Sequence, residues 1–378
     1  MISFGPIGSS SDGYLIRAET NANALASLGF EVSVLEIATR NRIVTPAAHV
    51  TAYPAFPAIV PRNRLLGPLD LIADLRGQVA LTIGLIRYGR RIRKGDVVVV
   101  EGGLLALAFM LKAFRRRHKP AFVFDLITLM SRLHRDRPGD ICGWQCRFRR
   151  RVWRILEHIC TSVADVSTAG NAKEIEGLSS NGEARVVPHI VPESHSIGQH
   201  PEDPNLVGFL GNGTVGPNRE AVEFMTSVVL MHPGLKAMRC RVIGDATGYQ
   251  QERSSSVDFV GTFADPSEPL KDVSVCCAPM RETGGVSTKV LTSLMRGKRT
   301  VCTPEAARGI AVPPNGLWVA ELPLFAETLI AAVSTEWPPD KAQALADWMS
   351  FHHGPRALMT AWKGVVESLT AWNGAALP

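Results

Sequence analysis

Two spacings of apolar residues take turns along the chain. Short, mostly apolar runs predict strands at 1–4, 31–37, 49–53, 96–100, 121–124, 161–167 and 185–191. The same reading predicts strands at 205–210, 241–244, 257–260, 273–278, 298–303 and 316–320. The run at 96–100 is largely apolar, as in a parallel sheet covered on both faces. Helical spacing separates them at 14–28, 69–93, 104–116, 142–158, 172–178, 220–231, 265–271, 287–296, 323–334, 341–351 and 356–372. Strand–helix alternation of this kind predicts an α/β fold with parallel sheets. The pattern loosens in an irregular connection at 44–64 and breaks most clearly at 192–204, where Pro192, Pro201 and Pro204 stand among polar residues. This places a first domain at 1–192, a linker at 193–204, a second domain at 205–355 and a last helix within 356–378.

Three glycine-rich loops sit where a strand gives way to a helix. The clearest opens the stretch 279–309, which together with the apolar run at 273–278 before it reads as strand, glycine loop, helix and strand. Gly284 and Gly285 precede a helix whose apolar face holds Val290, Leu291, Leu294 and Met295, and Gly297 ends it. Free N–H groups and the helix dipole suit such a loop to an anion, and Lys289 adds a full charge in the first turn. A glycine turn in an ordinary βαβ unit is the alternative. The second loop, 211–218, precedes a helix with Pro217 near its start. In the third, 5–13, Gly8, Ser9, Ser10 and Gly13 either line a ligand cleft or make a plain turn, since no GxGxxG is present. Glu101 and Asp125 close two strands, where ligands gather in open α/β sheets, so each is either a catalytic carboxylate or a helix cap.

Composition narrows the partners. With 46% hydrophobic and 20% charged residues the chain is globular, and a net charge of +6 with a pI near 9.0 favours anionic ligands. Basic clusters at 87–94, 112–119 and 147–154 adjoin large apolar residues in two cases, the pattern of a surface that holds anionic lipid heads; a solvated helix face is the plainer reading. No nucleic-acid module is visible, and none is expected as a partner. Seven cysteines, several inside apolar runs, read as buried free thiols in a reducing compartment, and no metal site is expected. Without a leader or a spanning apolar run, the expected location is cytoplasmic, with peripheral attachment to the inner face of a membrane as an option.

Several segments, taken in order, resemble one family. Residues 186–191 (VVPHIV), 207–211 (VGFLG) with Pro217-Asn218 and Ala221-Val222, 241–244 (RVIG), 257–261 (VDFVG), Pro279, 285–291 (GVSTKVL) and 303–309 (TPEAARG) are similar to the nucleotide-sugar domain of retaining GT-B glycosyltransferases of family 4, the exopolysaccharide-type group. More weakly, 125–131 (DLITLMS) and Ser167 resemble first-domain segments of that group. At two places the chain departs from it: Gly284 and Thr292 stand where the family carries the two glutamates of an E-x7-E motif, and Thr128 replaces a second aspartate.

The resemblance implies two Rossmann-like domains facing across a cleft, the last helix packing back on the first. It implies transfer of a sugar, with retention, from a nucleotide-sugar donor to a glycan, lipid-linked or natural-product acceptor, as in polysaccharide biosynthesis by a hexosyltransferase. It places the donor at Gly211, Asn212, Gly213, Arg219, Gly244, Glu282, Gly284, Gly285, Val286, Ser287, Lys289, Val290 and Thr292. It places the acceptor near Gly8, Ser9, Ser10 and Gly13, with Asp125, Glu101 and Lys289 as the catalytic groups. No cofactor or metal is expected, because Lys289 and backbone N–H groups would stabilise the leaving phosphate. The missing glutamates leave open an alternative, a non-catalytic GT-B-like protein that binds a nucleotide or a partner.

Overall fold

The structure is a computed structural model. It describes residues 2–3, 13–37, 50–55, 96–101, 120–126, 143–176, 183–191, 197, 200–213, 215–246, 249, 256–261 and 267–373. The predicted helices at 69–93 and 104–116, most of the loop at 5–13, Thr128 and the basic clusters at 87–94 and 112–119 lie outside these residues. Contacts divide the chain into two units, Met1–Pro188 with Leu358–Pro378, and His189–Ala357.

The first unit holds seven parallel strands: β1 (Ile2–Ser3), β2 (Val32–Ile37), β3 (Val50–Ala55), β4 (Val97–Glu101), β5 (Ala121–Leu126), β6 (Val166–Ala169) and β7 (Glu183–Val186). Their order is β3-β2-β1-β4-β5-β6-β7, so the sheet reverses direction of growth between β1 and β4. Described helices are α1 (Gly13–Ser27), α2 (Gly143–Val163) and α3 (Ala172–Ile175). Gly29, at φ 94°, ends the turn after α1, a conformation that costs a glycine little. The inward face of α1 repeats at helical spacing through Arg17, Ala18, Asn21, Ala22 and Leu25, all buried. The strand predicted at 161–167 is divided by the structure. α2 runs on through Val163, with the Thr161 hydroxyl bonded back to the carbonyls of Glu157 and His158, and β6 starts only at Val166.

In the second unit, β8 (Asp203–Leu210), β9 (Arg239–Ile243), β10 (Val257–Val260), β11 (Val273–Ala278), β12 (Arg299–Cys302) and β13 (Leu317–Val319) form a second parallel sheet. The order is β10-β9-β8-β11-β12-β13, with the reversal between β8 and β11. Its helices are α4 (Gly216–Phe224), α5 (Ser267–Leu270), α6 (Thr288–Met295), α7 (Phe325–Ser334) and α8 (Pro339–His353). A π-helical turn, Met225–Val229, continues α4 and accounts for most of the helix predicted to reach residue 231.

The described residues of the expected linker, 197 and 200–204, fall in the second unit. Val191 lies in that unit's core, and the Glu202 carboxylate binds Lys298 at 3.0 Å and Arg299 at 2.9 Å.

The last helix, α9 (Pro355–Asn373), enters the first unit at Leu358. Trp362, Val365 and Leu369 are fully buried along one face of it, and the Trp362 indole N–H donates to Asn21 Oδ1 at 2.9 Å.

Candidate functional site

β8 and β11 are neighbours whose chains leave the sheet toward opposite sides, and ligands bind at such a reversal, beyond the strands' carboxyl ends. Two glycine-rich segments stand there, Gly211–Gly213 after β8 and residues 279–287 after β11.

The first is pinned from several directions. Gly211 N–H donates to the Ile243 carbonyl and Gly213 N–H to that of Asp245. The Tyr249 hydroxyl donates to the Gly211 carbonyl at 3.1 Å, and Arg219 Nη1 to that of Gly213 at 2.8 Å. Gly244 sits at φ 140°, and a Cβ there would lie 2.3 Å from the Gly211 oxygen, so only glycine lets the two backbones approach this closely.

The second segment is held by two hydroxyls, Thr303 to the Met280 carbonyl at 2.6 Å and Thr283 to the Glu305 carbonyl at 2.9 Å. Gly285, at φ 70°, turns the chain into α6. Ser287 is the extended N-cap residue, yet its hydroxyl makes no capping bond, is buried, and finds no hydrogen-bond partner. The first N–H groups of α6 also lack intrahelical acceptors, as at any helix start.

Lys289 lies in that first turn. Its ammonium donates to Asn218 Oδ1 at 3.0 Å, contacts Met280 Sδ at 3.7 Å and stands 5.7 Å from the centre of the Phe209 ring. No carboxylate pairs with it among the described residues. Burial lowers its pKa from 10.5 to about 8, so the ammonium form still prevails at neutral pH. A partly desolvated, uncancelled cation beside an unsatisfied hydroxyl and a helix N-terminus is suited to an anion with several oxygens.

The structure therefore brings together Gly211, Asn212, Gly213, Gly244, Gly285, Ser287 and Lys289 around one sheet reversal. Arg219 is engaged with the Gly213 carbonyl and acts on the loop. Glu282 and Thr292 are half-buried, Gly284 is exposed and Val286 is buried. Thr292 lies one turn beyond Lys289, and its carbonyl accepts Arg296 Nη1 at 3.2 Å. Val290 is fully buried in the core, so its side chain is removed from the donor set; its backbone N–H stays at the helix start. Asn218, Met280, Phe209 and Tyr249 were not among the residues expected to bind the donor, although Asn218 belonged to a segment that resembles the family. Asn218 follows Pro217 near the helix start but does not cap it; the N-cap of α4 is Val215, which makes no side-chain bond.

In the first unit Asp125 does not fit a catalytic role. It is fully buried, and both its oxygens are taken. Oδ1 accepts Arg17 Nη2 at 2.7 Å and the Thr168 hydroxyl at 2.5 Å; Oδ2 accepts Arg17 Nε at 2.8 Å and Asn21 Nδ2 at 3.0 Å. Arg17 Nη1 also reaches the Val187 carbonyl. This carboxylate joins α1, β5 and β6 and has no lone pair to offer an acceptor. Glu101 is the last residue of β4, in register with Asp125. Gly13 opens α1, while Gly8, Ser9 and Ser10 lie outside the described residues.

Cys160, Cys240, Cys276, Cys277 and Cys302 are buried free thiols; burial pushes Cys240 and Cys302 up to about 12 and Cys276 to about 11, so they pack as small apolar residues. Among the described residues no helix is long and apolar enough to cross a membrane, and no group of three His, Cys, Asp or Glu is placed to hold a metal ion.

No protein-family model matches the chain, and no curated protein matches it. Solved structures do. Sucrose-phosphate synthase from Thermosynechococcus elongatus superposes with a TM-score of 0.70 at 12% identity, over 98% of this chain and 99% of that one. Anabaena HepE in complex with UDP and glucose gives 0.63 at 12%, over 97% and 99%. WaaG, a glycosyltransferase involved in lipopolysaccharide biosynthesis, gives 0.60 at 12%, over 99% and 100%. With two parallel α/β sheets and likeness along nearly its whole length to these structures, the chain has the GT-B glycosyltransferase fold.

Proposed function

We propose that the protein is a retaining glycosyltransferase of the family 4 type. It moves a hexose from a nucleotide-sugar donor to a glycan, lipid-linked or natural-product acceptor. One observation carries this reading: the ammonium of Lys289, uncancelled by any carboxylate among the described residues, at the start of α6 beside the unsatisfied Ser287 hydroxyl. In support, a structure of the same fold holds UDP and glucose. The donor's diphosphate would lie against Gly285–Ser287 and Lys289, with Gly211–Gly213 close by. As the glycosidic bond breaks, negative charge grows on the leaving phosphate, and a preorganised cation and helix N-terminus lower that barrier. These groups supply the charge themselves, so the reading calls for no metal or cofactor. Thr292 offers the nucleoside a single hydroxyl where a carboxylate would hold two. With Asp125 committed to the fold, Glu101 remains as the acceptor-side carboxylate of this reading, with Gly8, Ser9, Ser10 and Gly13 as its acceptor-binding residues.

Calorimetry against UDP-, GDP-, dTDP- and ADP-sugars tests it. One of them binds, and Lys289→Ala weakens it roughly tenfold to a hundredfold, the worth of a hydrogen bond to a charged group. If the folded protein binds none, the donor reading is wrong. Binding without turnover on any glycan or lipid-linked acceptor would favour the non-catalytic alternative.

The acceptor is proposed to lie at an anionic membrane surface on the cytoplasmic side. On α2, Arg147, Arg151 and Arg154 share an exposed face with Phe148 (53% exposed) and Ile155 (52%). Arginines to meet lipid phosphates and apolar side chains to enter the interface are what such docking needs. Co-sedimentation with vesicles should rise with phosphatidylglycerol content and fall in R147E/R151E/R154E; equal sedimentation with neutral vesicles would exclude it.

A further inference from the structure

We infer that Asn218 is the positioning residue of the anion site: one side-chain amide holds the Lys289 ammonium without cancelling its charge and ties it to the glycine loop. The functional meaning of this link rests on the phosphate reading above. The link itself rests on geometry.

An ammonium has only hydrogens to offer, so the amide oxygen must face Lys289, and Oδ1 accepts from it at 3.0 Å. Nδ2 is thereby turned to the Asn212 carbonyl, to which it donates at 2.9 Å. The reversed amide would set hydrogens against hydrogens at one end and oxygen against oxygen at the other. One buried side chain thus has a single orientation that satisfies both neighbours, and leaving either unmet would be costly. The amide is not needed as a helix cap, because Asn218 lies inside α4 and its own N–H bonds to the Val215 carbonyl.

Among the described residues the other groups facing Lys289 are neutral too: a thioether from Met280 and the ring of Phe209. None of the three partners titrates. Each orients a cation and none competes for its charge. A carboxylate at position 218 would form an ion pair that an incoming phosphate must break.

The loop is fitted to the same amide. A Cβ on Gly211 would stand 3.0 Å from Asn218 Cγ and 2.5 Å from Phe209 Cε1. The backbone therefore rests directly on the two side chains that orient Lys289. Displacing Asn218 displaces cation and loop together.

Asn218→Asp separates this from a packing role. It keeps the shape, adds a carboxylate to Lys289 and removes the donor to Asn212. In an NMR titration of lysine side chains, Lys289 of the wild type titrates below the other lysines, and in N218D it moves up. Affinity for inorganic pyrophosphate falls about tenfold or more, the scale of one charged hydrogen bond. In a Lys289→Met background the same substitution costs clearly less than in the wild type, because only its effect on the loop is left. Asn218→Ala is the second variant: Lys289 keeps a low titration point while pyrophosphate affinity drops. An unmoved Lys289 titration in folded N218D, or losses that add fully in the Lys289→Met background, would overturn the inference. The titration needs no ligand, so a wild type that fails to bind pyrophosphate sinks the phosphate reading while the link is still decided.

Discussion

Asp125 and Lys289 are each a charged residue at the edge of a parallel sheet, and their surroundings send them to opposite tasks. Asp125 accepts four hydrogen bonds, two of them from the Arg17 guanidinium, and is sealed from solvent. Among the described residues Lys289 meets neutral partners only. A buried pair stripped of one member leaves an uncompensated charge, which costs about 3–5 kcal/mol. Asp125→Asn should therefore lower the unfolding free energy by roughly that amount in urea titrations, because Arg17 stays charged inside the first unit. Unchanged stability together with lost transfer activity would return Asp125 to the catalytic set. The sequence shows where both residues stand, at a strand end and at a helix start. It does not show Arg17, Asn21 and Thr168 closing on the carboxylate from two other elements, because those partners are 108, 104 and 43 residues away.

At the scale of elements, what could be read was local and what could not was mutual. The stretch 279–309 and the strand before it were legible because each part announces itself: the mostly apolar β11, paired glycines, the apolar stripe of α6, Gly297 at φ 67° closing the helix, and β12. Other boundaries were decided by neighbours. Residues 161–163 have a strand's composition, but the Thr161 hydroxyl can bond back along the helix, and they extend α2. The π-helical turn after α4 had no signal, since its residues suit an ordinary helix equally well. In the candidate site the glycines and Lys289 were visible by type and spacing. Asn218, Met280 and Phe209 were not, because their roles come from β8, α4 and α6 meeting at one sheet reversal.

At the scale of the whole molecule, acid should loosen the second unit in two separate steps. His353, buried at the end of α8, accepts the Ala311 N–H at its Nε2 at 2.9 Å. Its Nδ1 lies 3.2 Å from the His189 carbonyl and so must carry the donated hydrogen. This is the neutral ring in one tautomer, and a proton on Nε2 would face the Ala311 N–H. Burial lowers the pKa from 6.5, and the nearby His352 lowers it further against the opposing His189 bond. A folded pKa below the unfolded one means that between the two the unfolded chain binds more protons, so stability rises with pH there. The contribution of His353 is whole above about 6.5 and is lost as pH falls from there toward the folded value. Asp272 belongs to a lower window. Burial raises its pKa, but the hydrogen bonds and charge of Arg241 outweigh that and carry it below 3.8. Its contribution is present above 3.8 and disappears only as pH falls through that lower folded value. Urea midpoints measured from pH 7.5 to 3 should first decline below about pH 6.5 and fall again below about pH 4. His353→Gln should abolish the first decline, at a fixed cost in stability, and leave the second in place. A wild-type midpoint that stays level between pH 7 and 5, or the same slope in His353→Gln, would show that the neutral ring is not what holds residues 189, 311 and 353 together.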